Sequence, residues 1–302
     1  MRDPLMAKLL LTQKPPLQAP YLIAGFAGWP DGGGVSTGVV DFLVSYLAAE
    51  RIGEIPLDDL YIASSPSSAS RPVVQIQQGL IQSLHFPVNE VYAWQSQSDA
   101  PDLILLQGIE PDLNWQEFVE AVMECIEVFG VQRVYTVGGY LDYAPHTRVP
   151  RISATVTHPE LQEALNAYDV EQADYEGPTS IQSYLLAHCQ NVGVEGIGLW
   201  AGTPSYIQGT YPKVIQVMLE LLSRVWKLPL EFSMFEEQTA ELESSLHEQI
   251  DSSPELAEYI KRLEQAYDSA EHEQPSFGPD TMVDEIQQFL RRRRDDASGE
   301  EH

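Results

Sequence analysis

Up to residue 230 short apolar runs alternate with segments whose apolar residues fall at helical spacing. A strand that is apolar on both faces has to be covered twice, so this alternation predicts βαβ units and a largely parallel sheet between helices. The predicted strands are Tyr21–Gly25, Leu60–Ala63, Leu103–Leu106, Val131–Gly138, Arg151–Val156 and Gly196–Trp200. The clearest helix runs from Trp115 to Phe129, with Phe118, Val119, Val122 and Ile126 on the same face. Pro72–Phe86 breaks the scheme: two alternating runs flank Gln77-Gln78-Gly79, the pattern of a hairpin.

After Pro229 only helical periodicity remains. Leu242, Leu246 and Ile250 form one stripe, and Leu256, Ile260, Leu263 and Tyr267 form the next. Ser253 before Pro254 reads as an N-cap with Pro at the first helical position. The expected organisation is an α/β core at residues 1–230 and an acidic helical subdomain at 231–294, ending in a helix over Asp280–Arg293. Residues 295–302 are expected to be disordered.

Charge narrows the partners. The chain has 45 acidic against 17 Lys and Arg residues, net −28, and residues 231–302 carry 20 acidic and 6 basic of these, net −14. Such a chain repels phosphate backbones and anionic lipid, so neither nucleic acid nor a membrane is expected as a partner. No run reaches the ~20 apolar residues of a membrane span, and the amino end is too short for a signal segment. With Cys125 and Cys189 as the only cysteines, the expected compartment is a reducing cytoplasm. Seven scattered histidines give no metal-ligand spacing, and no nucleotide loop is present, so no metal or cofactor is expected.

Three places can carry chemistry. Gly25 to Gly34, with Gly28, Trp29, Asp31, Gly32, Gly33 and Gly34, lies between a strand and a helix. Its N–H groups can cradle an anion at a helix start, or its glycines can serve a tight turn. Beyond Val137-Gly138-Gly139, His146 and Arg148 can handle a proton and an anion, or Arg148 can pair with a carboxylate in a Pro-rich loop. Glu110 and Glu176 can act as acids or bases, or stand as carboxylates at helix entries. Arg291–Arg294, at a predicted helix C-terminus, is expected to offset the dipole and pair with Asp295-Asp296 rather than with nucleic acid.

The ordered set of motifs resembles the PAC2 family, relatives of the proteasome assembly chaperone 2. It comprises Leu22-Ile23-Ala24-Gly25-Phe26-Ala27-Gly28-Trp29, the run Asp102–Pro111 with Trp115, and Pro145-His146-Thr147-Arg148. Tyr175-Glu176-Gly177-Pro178-Thr179 and Leu199–Tyr206 complete it. The acidic tail resembles the actinobacterial-type branch. Two motifs depart from that branch: Thr179-Ser180 replaces a small residue and Gly, and Ser205 replaces a His. The resemblance implies a phosphorylase/hydrolase-like α/β core, homo-oligomers, and a chaperone or adaptor role with no established catalysis. The terminal Gly299-Glu300-Glu301-His302 does not match the hydrophobic-Tyr-any ending of archaeal relatives that dock on the proteasome. The rival expectation is a nucleoside-like phosphorylase or hydrolase whose pocket joins the glycine loop, Glu110, His146, Arg148 and Glu176. The expected homo-oligomer interface is apolar and avoids the carboxylate-rich faces.

Overall fold

The computed structural model of the chain describes residues 9–56, 60–62, 70–86 and 88–269. Its strands are β1 (Leu10–Leu11), β2 (Tyr21–Ala27), β3 (Glu50–Ile55), β4 (Val73–Gln77), β5 (Leu80–His85) and β6 (Asn89–Trp94). They continue with β7 (Leu103–Ile109), β8 (Arg133–Asp142), β9 (Ile152–Val156), β10 (Glu171–Gln172) and β11 (Glu195–Pro204). Nine of them form one sheet in the order β1-β3-β6-β7-β2-β8-β11-β9-β10. The four central strands, β7-β2-β8-β11, are parallel, and antiparallel pairs extend the sheet on both sides.

Alternate residues of the central strands feed two cores, as burial on both faces demands. Ile23, Leu103, Leu105, Val137 and Leu199 face α1 (Val35–Tyr46) and α5 (Pro212–Trp226). Leu22, Ala24, Phe26, Ile104 and Leu106 face α2 (Trp115–Phe129) and α4 (Ile181–Val192). The class is thus α/β, with helices on both sides of the sheet. At Gly25 a Cβ would lie 2.2 Å from the Ser36 carbonyl oxygen, so the absent side chain is what lets α1 cross β2 so closely. Short α3 (Pro159–Leu165) covers one edge through buried Leu161 and Leu165.

Past residue 230 the described residues form α6 (Ser233–Ser252) and α7 (Pro254–Ser269). Phe235 is 4% exposed and its ring lies 5.2 Å from that of Phe42 in α1, while Leu242 and Leu246 pack against the same core. Ile260 and Leu263 of α7 are buried. Ser253 is extended at the junction, and its carbonyl accepts the Ala257 N–H. The expected helix over 280–293 and the tail from 295 lie outside the described residues.

The predicted strand at Leu60–Ala63 is not formed among its described residues, 60–62. Residues 60–62 run through a turn, with Leu60 buried at 4% exposure and its carbonyl accepting the Leu113 N–H at 2.9 Å. The Ile62 N–H is accepted by Asp112 at 2.8 Å, so a loop is anchored where an apolar run suggested a ladder. The strand that precedes it in the chain is β3, whose Glu-Arg-Ile-Gly-Glu-Ile sequence carries Arg51 paired with Glu54 and Glu90.

Candidate functional site

In parallel sheets the carboxyl ends of the strands are where ligands bind, and the glycine loop lies at the end of β2. After β2, Gly28 has φ +113, Asp31 bridges Gly139 of β8, and Gly33 and Gly34 have φ +65 and +67. The glycine positions are closely surrounded by the chain itself. A Cβ on Gly32 would meet the Gly139 backbone at 2.8 Å, one on Gly33 the Thr203 hydroxyl at 2.4 Å, and one on Gly34 the Thr210 hydroxyl at 2.9 Å. The loop carbonyls are used too: Pro30 accepts from Gly139 N–H at 2.9 Å and Gly33 from Tyr211 N–H at 2.8 Å.

The negative charge that α1 receives at its start comes from the loop itself. The Asp31 carboxylate accepts the Thr37 N–H at 3.0 Å and the Thr37 hydroxyl at 2.8 Å. Such an arrangement satisfies orphan donors and sits favourably in the helix dipole. Burial nevertheless raises the Asp31 pKa above the ordinary carboxylate value, against these hydrogen bonds. Trp29, 60% exposed, stands out from the loop with its ring edge-on to Trp200, 6.5 Å away.

Glu110 extends from the end of β7 to a helix entry. Its N–H donates to Ala27 at 2.9 Å, and its carboxylate accepts the Ile181 N–H of α4 at 2.9 Å and lies near the Trp29 N–H. Burial raises its pKa, and those backbone donors pull the other way. His146 lies elsewhere, 1% exposed under the helical tail. Its Nδ1 and its N–H both meet the Tyr206 hydroxyl, at 2.7 and 2.6 Å. Its carbonyl accepts from Lys213 Nζ at 2.6 Å, and Lys213 also pairs with Glu243 of α6 at 2.9 Å. Burial lowers the His146 pKa, so the ring is held neutral, and its Nε2 has no hydrogen-bond partner.

Arg148 reaches α7, donating to Asp268 at 2.7 and 2.8 Å and pairing with Glu264 at 3.4 Å. Arg151 joins it, with its guanidinium 4.1 Å from the Tyr267 ring centre. Glu176 is exposed in the loop before α4. Glu110, His146, Arg148 and Glu176 therefore share no hydrogen bond or ion pair with one another: Glu110 holds a helix entry, His146 is bonded within the core to Tyr206 and Lys213, Arg148 fastens α7, and Glu176 faces solvent. The partners of His146 were not legible in sequence, because Tyr206, Tyr211 and Lys213 are distant along the chain.

Among the described residues no group of three or more His, Cys, Asp or Glu is placed to hold a metal ion, and no helix is long and apolar enough to cross a membrane. A depression of about 800 Å³ lies at the opposite, amino ends of the strands, lined by Tyr21, Arg133 and Glu195 among others. There Arg133 is paired with Glu195 at 2.6 Å beside the Tyr21 ring, so its charge is already matched.

Residues 25–250 match the model of the PAC2 family. No curated protein matches the chain. Among solved structures, a PAC2 family protein from Streptomyces avermitilis is 28% identical, with a TM-score of 0.70 over 80% of this chain and 99% of that one. A Mycobacterium tuberculosis protein of unknown function is 26% identical, with a TM-score of 0.77 over 89% of this chain and 90% of its own. A Mycobacterium tuberculosis proteasome-assembly chaperone homologue is 25% identical, with a TM-score of 0.70 over 80% and 99%. The match over residues 25–250, together with actinobacterial neighbours of the same α/β architecture, places this chain in the PAC2 family.

Proposed function

We propose that this chain is a non-enzymatic adaptor of the assembly-chaperone type, acting as a homo-oligomer through protein contacts in the cytoplasm. The observation that carries this reading is the dispersal of the four polar candidates: Glu110, His146 and Arg148 are each used in holding the fold, and Glu176 stands apart. A catalytic site needs its groups within reach of one reacting atom. What the strand ends offer instead is surface, with Trp29 60% exposed, Leu141 56% and Tyr175 68%. Aromatic side chains are frequent anchors of protein interfaces. The likeness to a proteasome-assembly chaperone homologue supports a protein partner, and two buried free thiols support a reducing compartment.

The test pairs two assays. Affinity capture of the full chain from its native host should retain a specific protein that Trp29→Ala loses. Nucleosides with phosphate should show no turnover. Turnover that Glu110→Gln or His146→Gln abolishes would overturn the adaptor reading in favour of an enzyme.

A further inference from the structure

Neither hydrophobic core includes a residue of α7, although Ile260 and Leu263 of that helix are buried. Leu256, Tyr259, Ile260, Leu263 and Tyr267 make one stripe at helical spacing, and all five are buried or half-buried. The polar bonds beside that stripe converge on one short loop, residues 147–151 between β8 and β9. Arg148 holds Asp268 and Glu264, and the Thr147 hydroxyl donates to Glu264. Arg151 donates to the Tyr267 carbonyl at 3.0 Å, and the Tyr267 hydroxyl donates to the Val149 carbonyl at 2.7 Å. Beneath, the Tyr259 ring lies 6.3 Å from that of Tyr206, which lies 5.8 Å from His146. The Tyr259 hydroxyl faces Ser205 without closing a hydrogen bond of ordinary geometry, and His146 Nε2 is buried without a partner. Unpaired polar atoms weaken the contact that buries them. The Arg148–Asp268 pair is half-exposed, where pairing contributes little. α6 is pinned separately, by Phe235 and by Glu243 with Lys213, and Ser253 between the two helices is extended, so rotation there lifts α7 alone.

We propose that α7 holds the place of a helix from another protein. The surface under it, built from Thr147, Arg148, Val149, Arg151 and Tyr206, accepts an acidic amphipathic helix, which displaces α7. The chemistry that fits is written in α7 itself. Its apolar stripe repeats with the spacing of helices that lie in grooves, and Glu264 and Asp268, one turn apart at its edge, meet a single guanidinium. Its own cations, Lys261 and Arg262, are exposed. Charge selects the partner. In a chain of net charge −28, two guanidiniums on a five-residue loop make a local cationic spot that attracts carboxylates and repels a basic helix. A lone helix of 16 residues is marginal in water, so the displaced α7 and the incoming helix each gain order only by docking.

This inference rests on the protein-contact part of the proposed function and names the chemistry of a partner. The probe is a labelled peptide of residues Pro254–Ser269, followed by fluorescence anisotropy against the full chain at low and high salt. In wild type the tethered α7 competes at high effective concentration, so the peptide should bind weakly. Glu264→Lys with Asp268→Lys in the full chain turns α7 against Arg148 and should tighten peptide binding about tenfold or more. Adding Arg148→Ala should reverse that gain, and raised salt should weaken the binding. Both carboxylates lie at the rim of α7, so circular dichroism and melting of the double variant should match wild type. Hydrogen exchange on the wild-type chain needs no variant: α7 amides should exchange faster than those of α5, which is built into a core, and faster again at high salt. Equal protection of α7 and α5, or no gain in peptide binding by the folded double variant, overturns the proposal. A gain that survives Arg148→Ala overturns the choice of surface. The adaptor reading is decided separately, by turnover and by capture through Trp29.

Discussion

Gly33→Ala separates a turn packed by its own chain from a loop kept open for a ligand. A methyl there would lie 2.4 Å from the Thr203 hydroxyl and 2.7 Å from its methyl, while the backbone stays at φ +65. Thr203 is fully buried at the end of β11, so it has no solvent to swing into. The left-handed conformation alone costs a non-glycine residue about 1–2 kcal/mol. Overpacking a closed site adds about 1–3 kcal/mol, giving about 2–5 kcal/mol in all. In a Thr203→Ala background the steric share should disappear and the conformational share remain, a coupling of about 1–3 kcal/mol between contacting sites. Urea unfolding of the four chains of this double-mutant cycle, with unchanged slope, measures it. A Gly33→Ala chain as stable as wild type, or an undiminished cost beside Thr203→Ala, would refute the packing account.

Phe235→Ala should cost about 3–5 kcal/mol, the usual range for a buried aromatic, and limited proteolysis should then cut within α6 before the core. Burial holds His146 below its ordinary value of 6.5, so the unfolded chain binds more protons than the folded one in this window. Stability should therefore fall as pH drops through about 6.5 toward the folded-state value, and His146→Gln should remove that part of the slope. Asp31, Glu110 and Asp142, raised by burial, act in the opposite sense nearer the carboxylate range, so the reading is the difference between variant and wild type. Burial pushes both the Cys125 and Cys189 thiols up to about 12, and a thiol-reactive disulfide reagent at mildly alkaline pH should label neither until the chain unfolds.

Local pattern was enough for elements whose burial follows their own periodicity. Trp115–Phe129, the central strands and the hairpin about Gln78-Gly79 can be read from spacing and turn residues, because each buries or exposes one whole face. The ordered motifs likewise identified the PAC2 family. Leu60 and β3 defeated the same reasoning: an apolar run cannot tell an anchored loop from a strand, and a flanking strand can carry ion pairs such as Arg51 with Glu90. β6 was missed as well, although Val91 and Ala93 are buried in it.

At the candidate site, sequence determined which residue types stand at the strand ends, and tertiary structure decided what each one touches. Asp31 binds the helix start six residues on, a contact within reach of local reasoning, but Glu110 meets Ile181 across 71 residues and Arg148 meets Asp268 across 120. Only the sheet order and the return of α6 and α7 onto the core bring those groups together, and composition carries no record of which distant partner a charge will find. The hairpin shows the reverse division. Its alternation and freedom from charge were written in the sequence, whereas its separation from the main sheet was settled by the pairing of β6 with β3 and β7, which leaves β4 and β5 only each other.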